Sequence, residues 1–256
     1  MKLLVLAISA ACIPCVHAQD AIASDRPDLV ESSQVVGKGR FQFETGVLLE
    51  RDRSGEGRER TLSMPTLLRF GLSENLELRV GTDGRSIRHE REEGRRSTEA
   101  GYADSALGLS WHLRDAAGSL PSMAVLLDME IDSGSRAFRG QGVRPALLVA
   151  AEWELPNDVS LGVMPGIGVE RDESGRYRYG VLAAVLQKSL GERWSGFAEV
   201  AFPTIARARH GGLEATFDIG AAYLVSKDIQ LDAMLSRGLN SRTPDVAFTF
   251  GVSIRR

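Results

Sequence analysis

The sequence predicts an all-β protein: a transmembrane, antiparallel up-and-down β-barrel of about twelve strands, preceded by a signal peptide. Three observations carry that expectation. The first is a period-two alternation between residues 39 and 83. One parity holds Phe41, Phe43, Val47, Leu49, Leu62, Leu68, Phe70, Leu76, Leu78 and Val80 and carries no charge. The other holds Gln42, Glu44, Glu50, Arg69, Glu77, Arg79 and Asp83. This period places the two sets on opposite faces of a pleated sheet. The second is that long charged connections tend to alternate with short turns, as outer loops and periplasmic turns do in a membrane barrel. The third is that Trp111, Trp153 and Trp194 all fall beside short turns, and so on one rim. A soluble sandwich would bury the apolar face in a core, whereas a barrel shows it to lipid and keeps the ionisable face inside.

Residues 1–18 have the build of a secretory leader, with Lys2, the apolar run LLVLAISAACI and a small-residue cleavage site at Val16-His17-Ala18. The run is too short to span a bilayer as a helix. Cys12 and Cys15 leave with it, so the mature chain has no disulfide framework and no thiolate metal site. A formal net charge of −3 without a basic stripe argues against nucleic acid as a partner. What remains suffices for one large β domain. It divides into a polar segment, 19–38, and a barrel, 39–256.

Within the polar segment, Pro27 and its flanking aspartates disfavour both helix and ladder. Asp25, Arg26, Asp28 and Glu31 are candidates for a plug in the barrel mouth, with a loose periplasmic lead-in as the alternative. Strand one follows at 41–50, strand two at 61–70, and strand three at 76–83 after the turn GLSEN. Residues 84–101, containing RHEREEGRR, read as a solvated loop. Strand four runs from Tyr102 to Leu113 and strand five from Met123 to Asp132, with Met123, Val125, Leu127 and Met129 outward. Strand six, Val143 to Leu155, sets Leu147, Val149 and Trp153 against Arg144, Glu152 and Glu154. Strand seven runs from Val159 to Glu170. Strand eight, Tyr177 to Leu190, has no legible parity. Strands nine to eleven cover Trp194–Phe202, Leu213–Val225 and Ile229–Leu239, and the last begins at Val246.

The inward ionisable set gives the lumen-lining candidates: Glu44, Arg69, Glu77, Arg79, Asp104, Asp128, Glu130, Glu152, Glu154 and Asp218. Unpaired charges are costly at low dielectric, so cross-strand pairs are expected, such as Arg69 or Arg79 with Glu44, Glu77 or Asp104. The pairs would brace the wall or tune a narrow polar path. Trp111, Trp153, Trp194 and Tyr223 are candidates for the membrane-interface ring, with Tyr102, Tyr177 and Tyr179 at the opposite ends of their strands. Catalysis is the weaker reading. His112 shares an inward face with Ser110, but Asp104 is too far along the strand to orient it. The scattered histidines have no metal-ligand spacing, and no cofactor is expected.

Ser24-Asp25-Arg26-Pro27-Asp28 with Glu31-Ser32-Ser33, FQFETG at 41–46, PTLLRFGLSENLELRVGTDG at 65–84 and GYADSALGLSWHL at 101–113 resemble a bacterial family labelled "putative meta-pathway of phenol degradation". The resemblance implies an outer-membrane barrel of Gram-negative bacteria that passes small or aromatic compounds. The closing strand also looks like the assembly signal of such barrels, with Thr249, Gly251 and Ile254 in the expected places and Arg256 where an aromatic is usual. The implied partners are outer-membrane lipid, the barrel assembly machinery and a small solute. Twelve strands lie between barrels that fill themselves with side chains and those that leave an aqueous channel, so a narrow or partly plugged lumen is expected. A passive channel for small solutes is therefore the first expectation. A non-conducting structural barrel is the alternative, and a barrel lipid hydrolase a distant third.

Overall fold

The computed structural model describes residues 21–53, 57–172 and 175–256. The expected leader and its cleavage site lie outside them. Fifteen strands form one antiparallel sheet: β1 (Phe41–Asp52), β2 (Arg58–Ser63), β3 (Thr66–Gly71), β4 (Leu76–Thr82), β5 (Arg85–Glu92), β6 (Arg95–Tyr102), β7 (Ser105–Arg114), β8 (Ser122–Ile131), β9 (Arg144–Leu155), β10 (Val159–Asp172), β11 (Gly175–Ser189), β12 (Trp194–Ile205), β13 (Thr216–Ser226), β14 (Ile229–Gly238) and β15 (Val246–Arg255). Pairing of β15 with β1, from Gln42 opposite Arg255 to Arg51 opposite Val246, closes the sheet on itself. The closed wall has 12 strands. Among the described residues, no helix is long and apolar enough to cross a membrane.

The count reaches fifteen because three wall strands are interrupted at one level. β2 and β3 both pair with β1 and break at Met64-Pro65, where proline offers no N–H to the ladder. β4 and β5 break at Asp83-Gly84, and β6 and β7 at Ala103-Asp104. The sequence reading therefore needs two corrections. Strand two is not continuous from 61 to 70, and 84–101 is not a loop. It forms the hairpin β5–β6, turned by Glu93 (φ 46°) and Gly94 (φ 80°), both left-handed as a two-residue hairpin turn requires. Its charges misled because they alternate in sign and face, so they occupy strand positions without burying anything. With β2, this hairpin projects beyond the wall.

The sheet is inside-out relative to a soluble core. Gln42, Glu44, Arg69, Glu77, Ser110, Glu199 and Ser253 are no more than 1% exposed, whereas Phe41, Phe70, Leu109, Trp111, Leu147, Ile167, Phe217, Phe248 and Phe250 stand open on the outer face. Apolar side chains at that density on an outer surface belong against hydrocarbon. Trp111, Trp194 and Phe70 project outward at the short-turn rim, and the ring of Trp194 lies 4.7 Å from that of Tyr223. Trp153, half-buried, is at the same rim opposite Leu161. Tyr177 and Tyr179 break the expected aromatic ring at the other end. They share the parity of buried Ala183 and Val185, so they face the interior, and Tyr177 stacks on His210 at 4.1 Å.

The interior is not uniformly polar. Ala124, Leu126, Leu148, Ala150, Met164, Ala183, Val185 and Ala201 point inward from β8 to β12 and pack against Val30, with Leu29 and Phe197 beside them. The wall thus has a charged half on β1, β3 and β4 and an apolar half on β8–β12. On the outer side of the barrel, Asp104 holds the connection between β8 and β9. Its carboxylate accepts the Gly134 and Gly140 N–H groups at 2.7 and 2.8 Å and pairs with Arg144 at 2.6 Å. Asp104→Asn is expected to weaken that pair and loosen the connection. Tryptic cleavage at Arg136 and Arg139 should then become severalfold faster, as read by limited proteolysis, with the barrel itself intact.

Candidate functional site: a chain segment seated in the lumen

Residues 21–38 lie inside the barrel. The segment enters at the short-turn rim, where Ile22 N–H donates to the Lys227 carbonyl at 2.7 Å. It returns to that rim where Gly39 and Gly71 are hydrogen-bonded at 2.8 Å. Between these points its backbone makes no strand, so its N–H groups need other acceptors. Wall carboxylates supply them. Glu44 accepts from Asp25 N–H at 3.1 Å, Glu199 from Leu29 and Val30 at 3.0 Å each, Glu152 from Ser33 at 2.8 Å, and Glu77 from Val36 at 2.8 Å. Charge-assisted bonds of this kind are stronger than neutral ones.

Side chains fasten the segment at two further places. Arg69, fully buried, donates to Glu77 at 2.7 Å and to Glu44 at 3.1 Å, lies 3.1 Å from Asp25, and reaches the carbonyls of Ala23 and Gln34 at 3.0 and 2.8 Å. Arg79 pairs with Asp25 at 2.7 Å and Glu31 at 2.6 Å. Both guanidinium groups come from the wall, and two of their carboxylates come from the segment. The second fastening is Arg26, which pairs with Asp232 at 3.1 Å and donates to Thr249 at 2.9 Å. Its seat is cut by a cross-strand pair of glycines, Gly46 opposite Gly251, where a Cβ on either would fall onto the guanidinium.

Cavities lie on both sides of the segment. One of about 600 Å³ is bounded by Leu48, Thr82, Asp104, Phe138 and Arg144 toward the outer mouth. A second of about 290 Å³ is bounded by Glu152, Gln187, Ser195 and Gln230 toward the short turns. Arg26, Pro27 and Asp28 line both. Asp28 makes no ion pair among the described residues.

The sequence-derived candidates are distributed unevenly over this arrangement. Glu44, Arg69, Glu77 and Arg79 form one cluster with Asp25 and Glu31. Asp104 is not in it. That expected pairing is corrected to Arg144, which also binds Glu130 at 2.6 Å at the mouth. Asp128 lines a third cavity beside Glu31 and Arg79. Asp218, buried, faces Glu199 across β12–β13 and accepts from Thr216 at 2.9 Å. Glu154 is exposed at the short-turn rim. Sequence reasoning missed Ser122, Glu199, Asp232 and Ser253, of which Ser122 and Ser253 bond the Ser33 and Ser24 hydroxyls at 2.7 Å each. It put Gln42 on the inward face without a role and gave Thr249 only an assembly role. Strand parity was the signal that could have placed Asp232 and Glu199 inside, but the glycine seat exists only once β1 and β15 are in register. His112 holds the Ser33 carbonyl with Nδ1 at 2.8 Å and Asp115 with Nε2 at 3.1 Å, so both ring nitrogens are engaged away from Ser110.

An apolar outer belt around a charged, closed interior defines an outer-membrane β-barrel of the Gram-negative type. The chain belongs to the family described as "Putative MetA-pathway of phenol degradation", whose model matches residues 24–255. Its fold is similar to that of an outer-membrane channel from Pseudomonas putida F1 (11% identity, 88% of this chain and 98% of that one, TM-score 0.67). It is also similar to the β domain of the Bordetella autotransporter BrkA (12% identity, 85% and 99%, TM-score 0.57). The KdgM porin in complex with disordered oligogalacturonate shares the architecture as well (9% identity, 84% and 98%, TM-score 0.52). No curated protein matches the chain by sequence.

Proposed function

We propose that this protein is a passive channel for small solutes, not an enzyme, and that residues 19–38 act as a plug in its lumen. The observation that carries the reading is the pair of cavities separated by Arg26-Pro27-Asp28. A solute entering the larger one meets the charged wall of β1, β3 and β4, and the adjoining third cavity, which shares Leu29, Arg79 and Arg144 with it, presents Leu148, Met164 and Val181 on the other side. Such a two-sided path suits small molecules with one apolar and one polar edge, simple aromatics included, better than long hydrophilic chains. Trp111, Trp153, Trp194 and Tyr223 fit the periplasmic-side interface of the bilayer. The assembly machinery is the expected reader of the closing strand.

Flux of a small phenolic acid into proteoliposomes, compared with an oligosaccharide of several residues, tests the reading. Faster entry of the phenolic is expected, and no entry of either would leave the structural-barrel alternative standing. The Arg26 seat offers a second test. Replacing Gly251 by Val drives a side chain into the guanidinium and should release Arg26 from Asp232. Solute entry is then expected to rise severalfold, with the 12-stranded barrel intact by heat-modifiable migration. Unchanged entry would mean that the seat does not control passage.

A further inference from the structure

The projecting sheet of β2, β5 and β6 has two chemically different faces. Residues directly opposite one another in a sheet share a face, so the register sorts the charges. Arg51 lies opposite Arg60, and Arg60 opposite His89. Arg58 lies opposite Arg91, and Arg91 opposite Arg96. These two rows have the parity of Leu49, Leu62 and Ile87, the upper end of the outward apolar belt. Glu59, Glu90 and Glu99 have the other parity, that of buried Ser63 and Ser86. On that side Arg88 pairs with Glu59 at 3.4 Å and lies 5.3 Å over the Phe138 ring. Among the described residues, the outward face of the extension therefore carries Arg51, Arg58, Arg60, Arg91 and Arg96 and no acid. All five are exposed, and none makes an ion pair among the described residues.

Height places this patch at a particular layer. From Phe41 at the short-turn rim, Arg51 is ten residues along β1. With a rise of about 3.3 Å per residue and a tilt near 40°, that is about 25 Å, the height of the apolar band of a membrane barrel. The arginines thus begin where hydrocarbon ends, on the side facing away from the barrel axis. Like charges across adjacent strands repel, and a face with no acid among its described residues calls for an anionic counterpart from outside the chain. Arginine forks match phosphate oxygens bidentately.

We propose that this face binds the phosphate groups of a phosphorylated glycolipid of the outer leaflet, with Arg58, Arg91 and Arg96 as the central row. The lipid's acyl chains would continue down the belt past Leu62 and Ile87. A surface that serves a headgroup in this way anchors the extension beside the mouth, and it does so whether or not the lumen conducts.

The test uses the full mature barrel in detergent. Native mass spectrometry reads binding of a bisphosphorylated lipid A and of the same lipid with both phosphates removed. The triple variant Arg58→Ser, Arg91→Ser, Arg96→Ser is compared with Arg88→Ser, Arg95→Ser on the opposite face, after heat-modifiable migration shows each to be folded. Because each arginine near an anionic surface contributes measurably, the triple variant is expected to bind the phosphorylated lipid at least about tenfold more weakly. The opposite-face variant should match the parent, and the dephosphorylated lipid should bind the parent as weakly as the triple variant binds the phosphorylated one. Equal binding by parent and triple variant would overturn the proposal, as would equal binding of the two lipids by the parent.

Discussion

Deleting residues 19–38 from the mature barrel is expected to raise its single-channel conductance severalfold. The segment crosses the lumen between cavities of about 600 and 290 Å³, and its removal joins them into one path. The wall should survive the loss, because Phe41 and Arg256 hydrogen-bond across the seam at 2.8 and 2.7 Å without help from the segment. The deletion also strips Asp25 and Glu31 from Arg79, leaving a more positive lumen. The enlarged path should therefore shift its preference toward anions, which reversal potentials in a salt gradient would read. A truncated barrel that folds yet conducts like the parent would remove the plug from this account.

Arg69→Met is expected to cost about 3–5 kcal/mol of stability, because it removes one partner from a buried ion network and strands the rest. Glu44 and Glu77 are wholly buried, and Asp25 nearly so. Without the guanidinium, those carboxylates repel one another in a water-poor interior, and the carbonyls of Ala23 and Gln34 lose a donor. Arg69→Lys retains the charge but not the fork, so a smaller loss is expected. Urea unfolding in detergent, followed by tryptophan fluorescence, reads both. A loss under about 1 kcal/mol for Arg69→Met would mean that water or ions compensate the cluster, and the bracing role would fall.

Much of this was legible in the chain. Alternation around Glu44, Arg69, Glu77 and Arg79 put those side chains inside because parity is a local property of a strand, indifferent to its partners. The candidates Asp25, Arg26 and Glu31 were legible for the opposite reason: Pro27 and adjacent acids forbid regular structure, so that stretch needed other neighbours. Where parity met no contrast, as in Tyr177–Leu190, nothing could be read, and Tyr179 proved to face inward. The hairpin Arg85–Tyr102 was mistaken for a loop because hydrophobic periodicity is the usual mark of a strand, and a strand raised above the membrane has little to bury.

The sequence by itself determined which face of each strand is apolar, and with it an outer-membrane barrel, since a period of two needs no distant contact to express. Only the tertiary structure decided what the inward acids hold. Glu199, Glu152 and Glu77 cap backbone N–H groups of a segment far from them in the chain, and Gly46 and Gly251 meet over Arg26 only when the first and last strands close. These are long-range coincidences of register, and register is set by closure of the whole cylinder rather than by any one stretch.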